Sequence, residues 1–189
     1  MAFESFDARA PFSGRYYVAQ CHNDDYTRAM FYDLIRRAYE RKDVPAPDFP
    51  RIPFAKAERR AYNAALLQAC EALSPDAPLG LALFELGRDL YPHFASTMVG
   101  KAIFSVAGRD FPAVARLAPR AYSVCNRYGT IDVVTAEPGL ALVRFEDVWD
   151  PLPFTCGIWQ GGLDVCGLEA KTFELDVRTA VSYDLRITW

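Results

Sequence analysis

From Thr172 to the end the chain alternates residue by residue. Phe173, Leu175 and Val177 stand against Thr172, Glu174, Asp176 and Arg178. Val181, Tyr183, Leu185, Ile187 and Trp189 then stand against Ser182, Asp184, Arg186 and Thr188. Successive strand side chains point to opposite faces, so each segment has one apolar and one wet face. That pattern demands an antiparallel sheet covered on one side only. Ile131–Ala136 and Leu140–Phe145, flanking Glu137-Pro138-Gly139, add a hairpin to it.

The chain before Gly129 supplies the cover. Met30, Phe31, Leu34, Ile35 and Ala38 share one face of a helix predicted over about 24–41, capped by Asn23 or Asp24. Four prolines between Val44 and Pro53 exclude helix there and leave an apolar connector lying along the core. Lys56–Leu73 is an alanine-rich helix whose stripe is Tyr62, Leu66, Leu67, Cys70 and Leu73. Pro78 suits the first position of the next helix, with Leu79, Leu83, Phe84, Leu86 and Leu90 inward and Pro92 limiting or kinking its far end. Thr97–Ala107 is a short helix closed by Gly108. Asp110 caps another that carries Val114, Leu117, Ala118, Ala121, Tyr122 and Cys125 towards Gly129, kinked at Pro119. Helical spacing returns between Pro151 and Gly167. Arg15–Cys21, rich in β-favouring residues, reads as an edge strand, and residues 1–14 as a loose lead-in.

The expected fold is therefore α+β: one domain over 15–189, with helices packed on one face of a small antiparallel sheet. The N-terminal two-thirds is helical and the C-terminal third runs hairpin–helix–hairpin. A chain of 189 residues with 51% hydrophobic residues can bury such a core without disulfides or metals. A formal net charge of -3 provides no field to attract nucleic acid or an anionic membrane. No apolar run reaches the roughly 20 residues of a membrane span, and the N-terminus lacks the apolar core of a signal peptide. Five cysteines without a C-x-x-C pair point to free thiols in a reducing cytoplasm.

The segments RRAYNAALLQACEAL and ALFELGRDLYPHFASTMVGKAIFSVAGRDFPAVARLAPRAYSVCNRYG, with the closing strand pair, resemble a myxobacterial paralogous family of unknown function over roughly residues 52–189. That family is similar in fold to the superfamily of haem-nitric-oxide-binding domains, 4-vinyl-reductase-type sensors and small subunits of vesicle-tethering complexes. The resemblance implies helices on a small antiparallel sheet, a homodimer, and an apolar cavity between helices and sheet.

Chemistry is scarce in the residues themselves. A haem domain of the related type needs a histidine on the helix before the hairpin and a Tyr-x-Ser-x-Arg triad. Asp110–Arg127 holds no histidine and the triad is absent, so no cofactor is expected. Cys21-His22 followed by Asp24-Asp25 could in principle ligate a metal, but a strand end and a helix cap explain the same residues, so no metal is expected. Glu146, Asp147 and Asp150 around Trp149 read as a solvated turn. Without a nucleophile–base pair or a phosphate loop the chain carries no enzyme signal. The glycines at 157, 161, 162 and 167 favour close helix packing over a phosphate cradle, since no Lys-Ser/Thr follows. The candidate ligand-binding residues are Leu67, Cys70, Phe84, Tyr122 and Cys125, lining a cavity for an apolar small molecule or acyl chain. The expected function is a non-enzymatic regulatory or sensory module of a bacterial cytosol, binding an apolar molecule or a protein partner. The alternative is an oligomeric scaffold or adaptor with a filled core.

Overall fold

The computed structural model describes residues 2–189. Its first half runs β1 (Glu4–Ser5), α1 (Arg15–Ala19), β2 (Tyr26–Arg28), a 3₁₀ turn (Ala29–Phe31), α2 (Tyr32–Arg41), β3 (Lys56–Glu58) and α3 (Arg59–Leu73). Then come α4 (Leu79–Ser96), α5 (Met98–Phe104), α6 (Phe111–Cys125), β4 (Thr130–Glu137), β5 (Leu140–Glu146), α7 (Leu152–Val165), β6 (Thr172–Thr179) and β7 (Ser182–Thr188). Among the described residues, no helix is long and apolar enough to cross a membrane.

The main sheet has the order β1-β6-β7-β5-β4 and every pairing is antiparallel. Ala141, Val143, Phe145, Tyr183, Leu185 and Ile187 are buried beneath Phe111, Ala115, Cys156, Trp159 and Leu163 of α6 and α7. The opposite face is wet, and charge pairs cross it. Arg144 and Arg178 both reach Asp184, Arg178 also reaches Glu146, and Arg186 pairs with Glu174. A second core joins α2, α3 and α4. The α+β class, the antiparallel sheet and the helical cover are as the alternation requires.

Helices α4 and α7 bind these layers together at unusually short range. A Cβ on Gly87 would lie 2.1 Å from the Phe154 carbonyl oxygen, and one on Gly157 2.0 Å from that of Phe84. Only glycine lets the two backbones approach this far. Caps form where the side chains allow: Thr97 Oγ1 accepts from Gly100 N–H and Asp110 Oδ2 from Ala113 N–H.

Several expectations are corrected. Arg15–Cys21 contains a helix rather than an edge strand. Its β-favouring tyrosine is used for packing instead: Tyr17 is buried with Cys21, Trp149 and Val181, and its hydroxyl donates to Ala180 O at 2.7 Å. The helix predicted from residue 24 starts at Tyr32, because Tyr26–Arg28 pairs with Lys56–Glu58 in a small second sheet. Of the two outcomes expected at Pro92, limiting or kinking the helix, the first does not occur: Pro92 lies inside α4, which continues to Ser96. The lead-in is not loose throughout: Glu4 and Ser5 pair with Leu175 and Glu174, and Phe6 N–H donates to Phe173 O at 2.8 Å. Val177, expected inward, is 53% exposed and lies beside the register shift near the end of β6.

Candidate functional site

The inward stripe of α6 reads Phe111, Val114, Ala115, Ala118, Ala121, Tyr122 and Cys125, a helical repeat in which the middle positions carry only methyl groups. Facing it, α7 offers Phe154, Thr155, Ile158, Trp159 and Gly162, and α4 offers Leu90, Tyr91 and Phe94. Short side chains opposite bulky ones leave space, and a cavity of about 130 Å³ lies between these helices and the β4–β5 hairpin, which contributes Ile131 and Phe145.

One end of this cavity is polar. Thr27, Tyr62, Asn126, Asp150 and Thr155 line it, around the fully buried Arg59. Arg59 Nη1 donates to Asp150 Oδ1 at 2.6 Å, its Nη2 donates to Asn126 Oδ1, and its Nε lies 3.4 Å from Asp25 Oδ2. Burial pulls the guanidinium down in pKa, but Asp150, followed by Tyr122 and Asp25, more than reverses this and holds it charged. Burial also pushes Asp25 up, against the opposing pull of Arg59. Next to this network, Asn63 Nδ2 donates to Tyr17 O and Trp149 O at 3.0 and 2.7 Å. The hydroxyls of Thr27, Tyr62 and Thr155 are buried without a hydrogen-bond partner.

Of the five residues singled out by sequence, Tyr122 and Cys125 line the cavity and the other three lie elsewhere. Leu67 turns the other way on α3 and packs on Gly14, whose Cβ would meet it at 2.3 Å. Cys70 lines a shallow groove with Ala38, Leu73 and Asp89. Phe84 points to the far side of α4, between Phe6 and Phe173, with ring centroids 6.0 and 6.3 Å away. All three share a helix with cavity-facing residues but not the face. The polar end was missed because its members come from distant parts of the chain. A readable sign existed: Arg59, Tyr62, Asn63 and Leu66 follow helical spacing, which puts a charge and an amide on a buried stripe.

The clusters weighed for metal and acid–base chemistry are rearranged. His22 Nε2 lies 2.9 Å from Asp147 Oδ2, and the His22 ring stacks on Tyr128 at 4.5 Å. Asp147 Oδ1 accepts from Trp149 Nε1 at 2.8 Å. The His22 and Asp147 side chains are about half exposed, and neither lines the cavity. Among the described residues no group of three or more His, Cys, Asp or Glu is placed to hold a metal ion.

Two solved structures share this fold. Both are Fe(II) unliganded H-NOX proteins from K. algicida, one carrying a single alanine-to-glycine substitution. The substituted form matches with a TM-score of 0.64 at 11% identity, and the other with 0.63 at 10%. Each match covers 85% of this chain and 95% of the other. No curated protein matches the chain.

The residues here do not fit a haem. The cavity-facing stripe of α6 carries no histidine, and burial pushes the Cys125 thiol up to about 11, away from the thiolate that binds iron. No described residue lining the cavity is cationic, and Arg59 beside it is committed to Asp150 and Asp25, so propionates would find no counter-charge. The volume is also well below the roughly 300–1,000 Å³ of drug-sized pockets, and a tetrapyrrole is at least that large. What this sequence shares with the H-NOX proteins is the backbone plan. A family model matches residues 27–189, and the chain belongs to that family, described as "Protein of unknown function (DUF2378)".

Proposed function

We propose that this protein is a non-enzymatic sensory or regulatory module that takes a small, mainly apolar molecule into the cavity between α4, α6, α7 and the β4–β5 hairpin. The observation that carries this reading is the alanine run of α6, Ala115, Ala118 and Ala121, set opposite Phe154, Ile158 and Trp159 around about 130 Å³ of space. Natural interiors pack with few voids of this size. An apolar cavity of similar volume takes up benzene-sized guests. The likeness to H-NOX proteins supports a ligand-binding module by analogy of fold. A scaffold with a filled core would have no use for the short side chains on α6.

Native mass spectrometry and solvent extraction of the purified protein, followed by titration with toluene, test the proposal. Either a co-purifying small molecule or a melting temperature that rises with toluene concentration is expected, since a guest selective for the native state stabilises it by mass action. Ala118→Leu should abolish the toluene response. A wild-type protein that carries nothing and does not respond to toluene overturns the reading.

A further inference from the structure

Buried hydroxyls without a partner on the cavity wall say more about the guest than the cavity's size does. Thr27, Tyr62 and Thr155 are 1%, 1% and 4% exposed, all line the cavity, and none of their hydroxyls has a hydrogen-bond partner. Thr155 stands beside the Tyr183 hydroxyl, which leaves Thr27 and Tyr62 for a guest. A buried hydroxyl left unpaired is costly, and native proteins retain few. Thr27 and Tyr62 come from separate elements, β2 and α3, and share the cavity lining with Asn126 and Asp150, which Arg59 already engages. We infer that the guest is a compact neutral molecule with an apolar body and one hydrogen-bonding head, a hydroxyl or carbonyl, which is received by Thr27 and Tyr62. This rests on the cavity being a ligand site.

The chemistry beside those residues selects among heads. A carboxylate would be buried beside Asp150 and Asp25 with Arg59 already shared between them. An ammonium would be stripped of water where the nearest carboxylate, Asp150, already holds an arginine. A hydroxyl can donate and accept at once, as can both Thr27 and Tyr62. The walls formed by Phe94, Phe111, Ala118 and Ile158 offer only apolar contact.

Four probes of one shape separate the possibilities: toluene, benzyl alcohol, benzoate and benzylamine, with affinities measured by calorimetry on the full chain. Wild-type protein should bind benzyl alcohol about ten-fold more tightly than toluene, the equivalent of one net hydrogen bond. Tyr62→Phe and Thr27→Val should each reduce that preference and together abolish it, with toluene affinity kept. Because both substitutions delete a hydroxyl that bonds to nothing, the melting temperature of the unliganded protein should hold or rise, which separates a lost head site from a lost fold. Equal binding of toluene and benzyl alcohol, or tightest binding of benzoate or benzylamine, overturns the inference and leaves the cavity reading standing. If none of the four binds and no small molecule co-purifies, both fail.

Discussion

Gly161 on α7 backs onto the carbonyl of Arg88 on α4 so closely that a Cβ would lie 2.1 Å from the oxygen. That carbonyl has lost its usual helical partner, because the residue four positions on is Pro92, which has no N–H to donate. The proline frees the oxygen, and the glycine brings the neighbouring backbone up against it. Gly161→Ala, like Gly157→Ala, must push backbone against backbone. Each should cost about 3 kcal/mol or more, the upper range for overpacking. Urea unfolding would measure this, and a loss under about 0.5 kcal/mol, the size of an ordinary surface change, would show that the helices can separate freely.

The α6 stripe separates filling from hollowing. Ala118→Leu adds carbon into existing space and should leave unfolding stability within about 1 kcal/mol of wild type, as volume-tolerant core changes do. Phe111→Ala should instead cost about 3–5 kcal/mol. Phe111 is 1% exposed, and its ring meets Trp159 and Trp189 at centroid distances of 6.2 and 4.9 Å. Equal effects from both changes in thermal or denaturant melts would contradict the packing described for α6.

Arg59 is 1% exposed, as is the Asp25 side chain, so their network is sensitive to partial removal. Asp150→Ala strands a buried cation and should cost about 3–5 kcal/mol, the usual penalty for breaking a buried pair. Arg59→Met combined with Asp150→Leu and Asp25→Leu should recover much of that loss, since no charge is left buried. A triple variant less stable than the single one would indicate that the network contributes shape as well as charge.

Acidification should act in two windows. Burial, then the Arg37 charge, holds the His93 imidazole below its ordinary range. Below about pH 6.5, the ordinary histidine value, the unfolded chain takes up a proton that the native state refuses. Stability therefore falls as pH drops through this window, and His93→Gln should flatten that part of the curve. Hydrogen bonds from Arg144, then Arg178, hold Asp184 below the carboxylate range despite its burial. Its contribution is full above about pH 4 and is lost at lower pH, so Asp184→Asn should remove a decline confined to the acid limb. Stability curves from pH 3 to 8 on the two variants resolve the windows.

The parts of the fold that could be read from sequence are those whose signal is local and repeated. The alternation over Thr172–Trp189 and the turn at Gly139 carry the sheet, and Asp110 and Thr97 mark helix starts that form where they stand. The glycines of α7 are also explained by close packing. Short or long-range features were hidden. Tyr26–Arg28 is too brief to show a period, and its partner Lys56–Glu58 lies beyond the proline-rich connector. The stripe of α3 is legible as buried but not by what: Leu67 and Cys70 pack in the core that also holds Cys125, yet neither faces the cavity. Tyr122 and Cys125 reach the cavity because α6 has a single apolar face, and that face meets the space.

The arginine at the head of α3 also decides where this domain can be cut. The region matched by the family begins at Thr27, two residues after Asp25. A protein trimmed to that boundary would keep every element from α2 onward yet lose one of the two carboxylates beside Arg59. It would also lose the Tyr17 hydroxyl that ties the first helix to Ala180. The homologous boundary and the physical boundary differ, and the physical one extends upstream at least to the residue that neutralises the core.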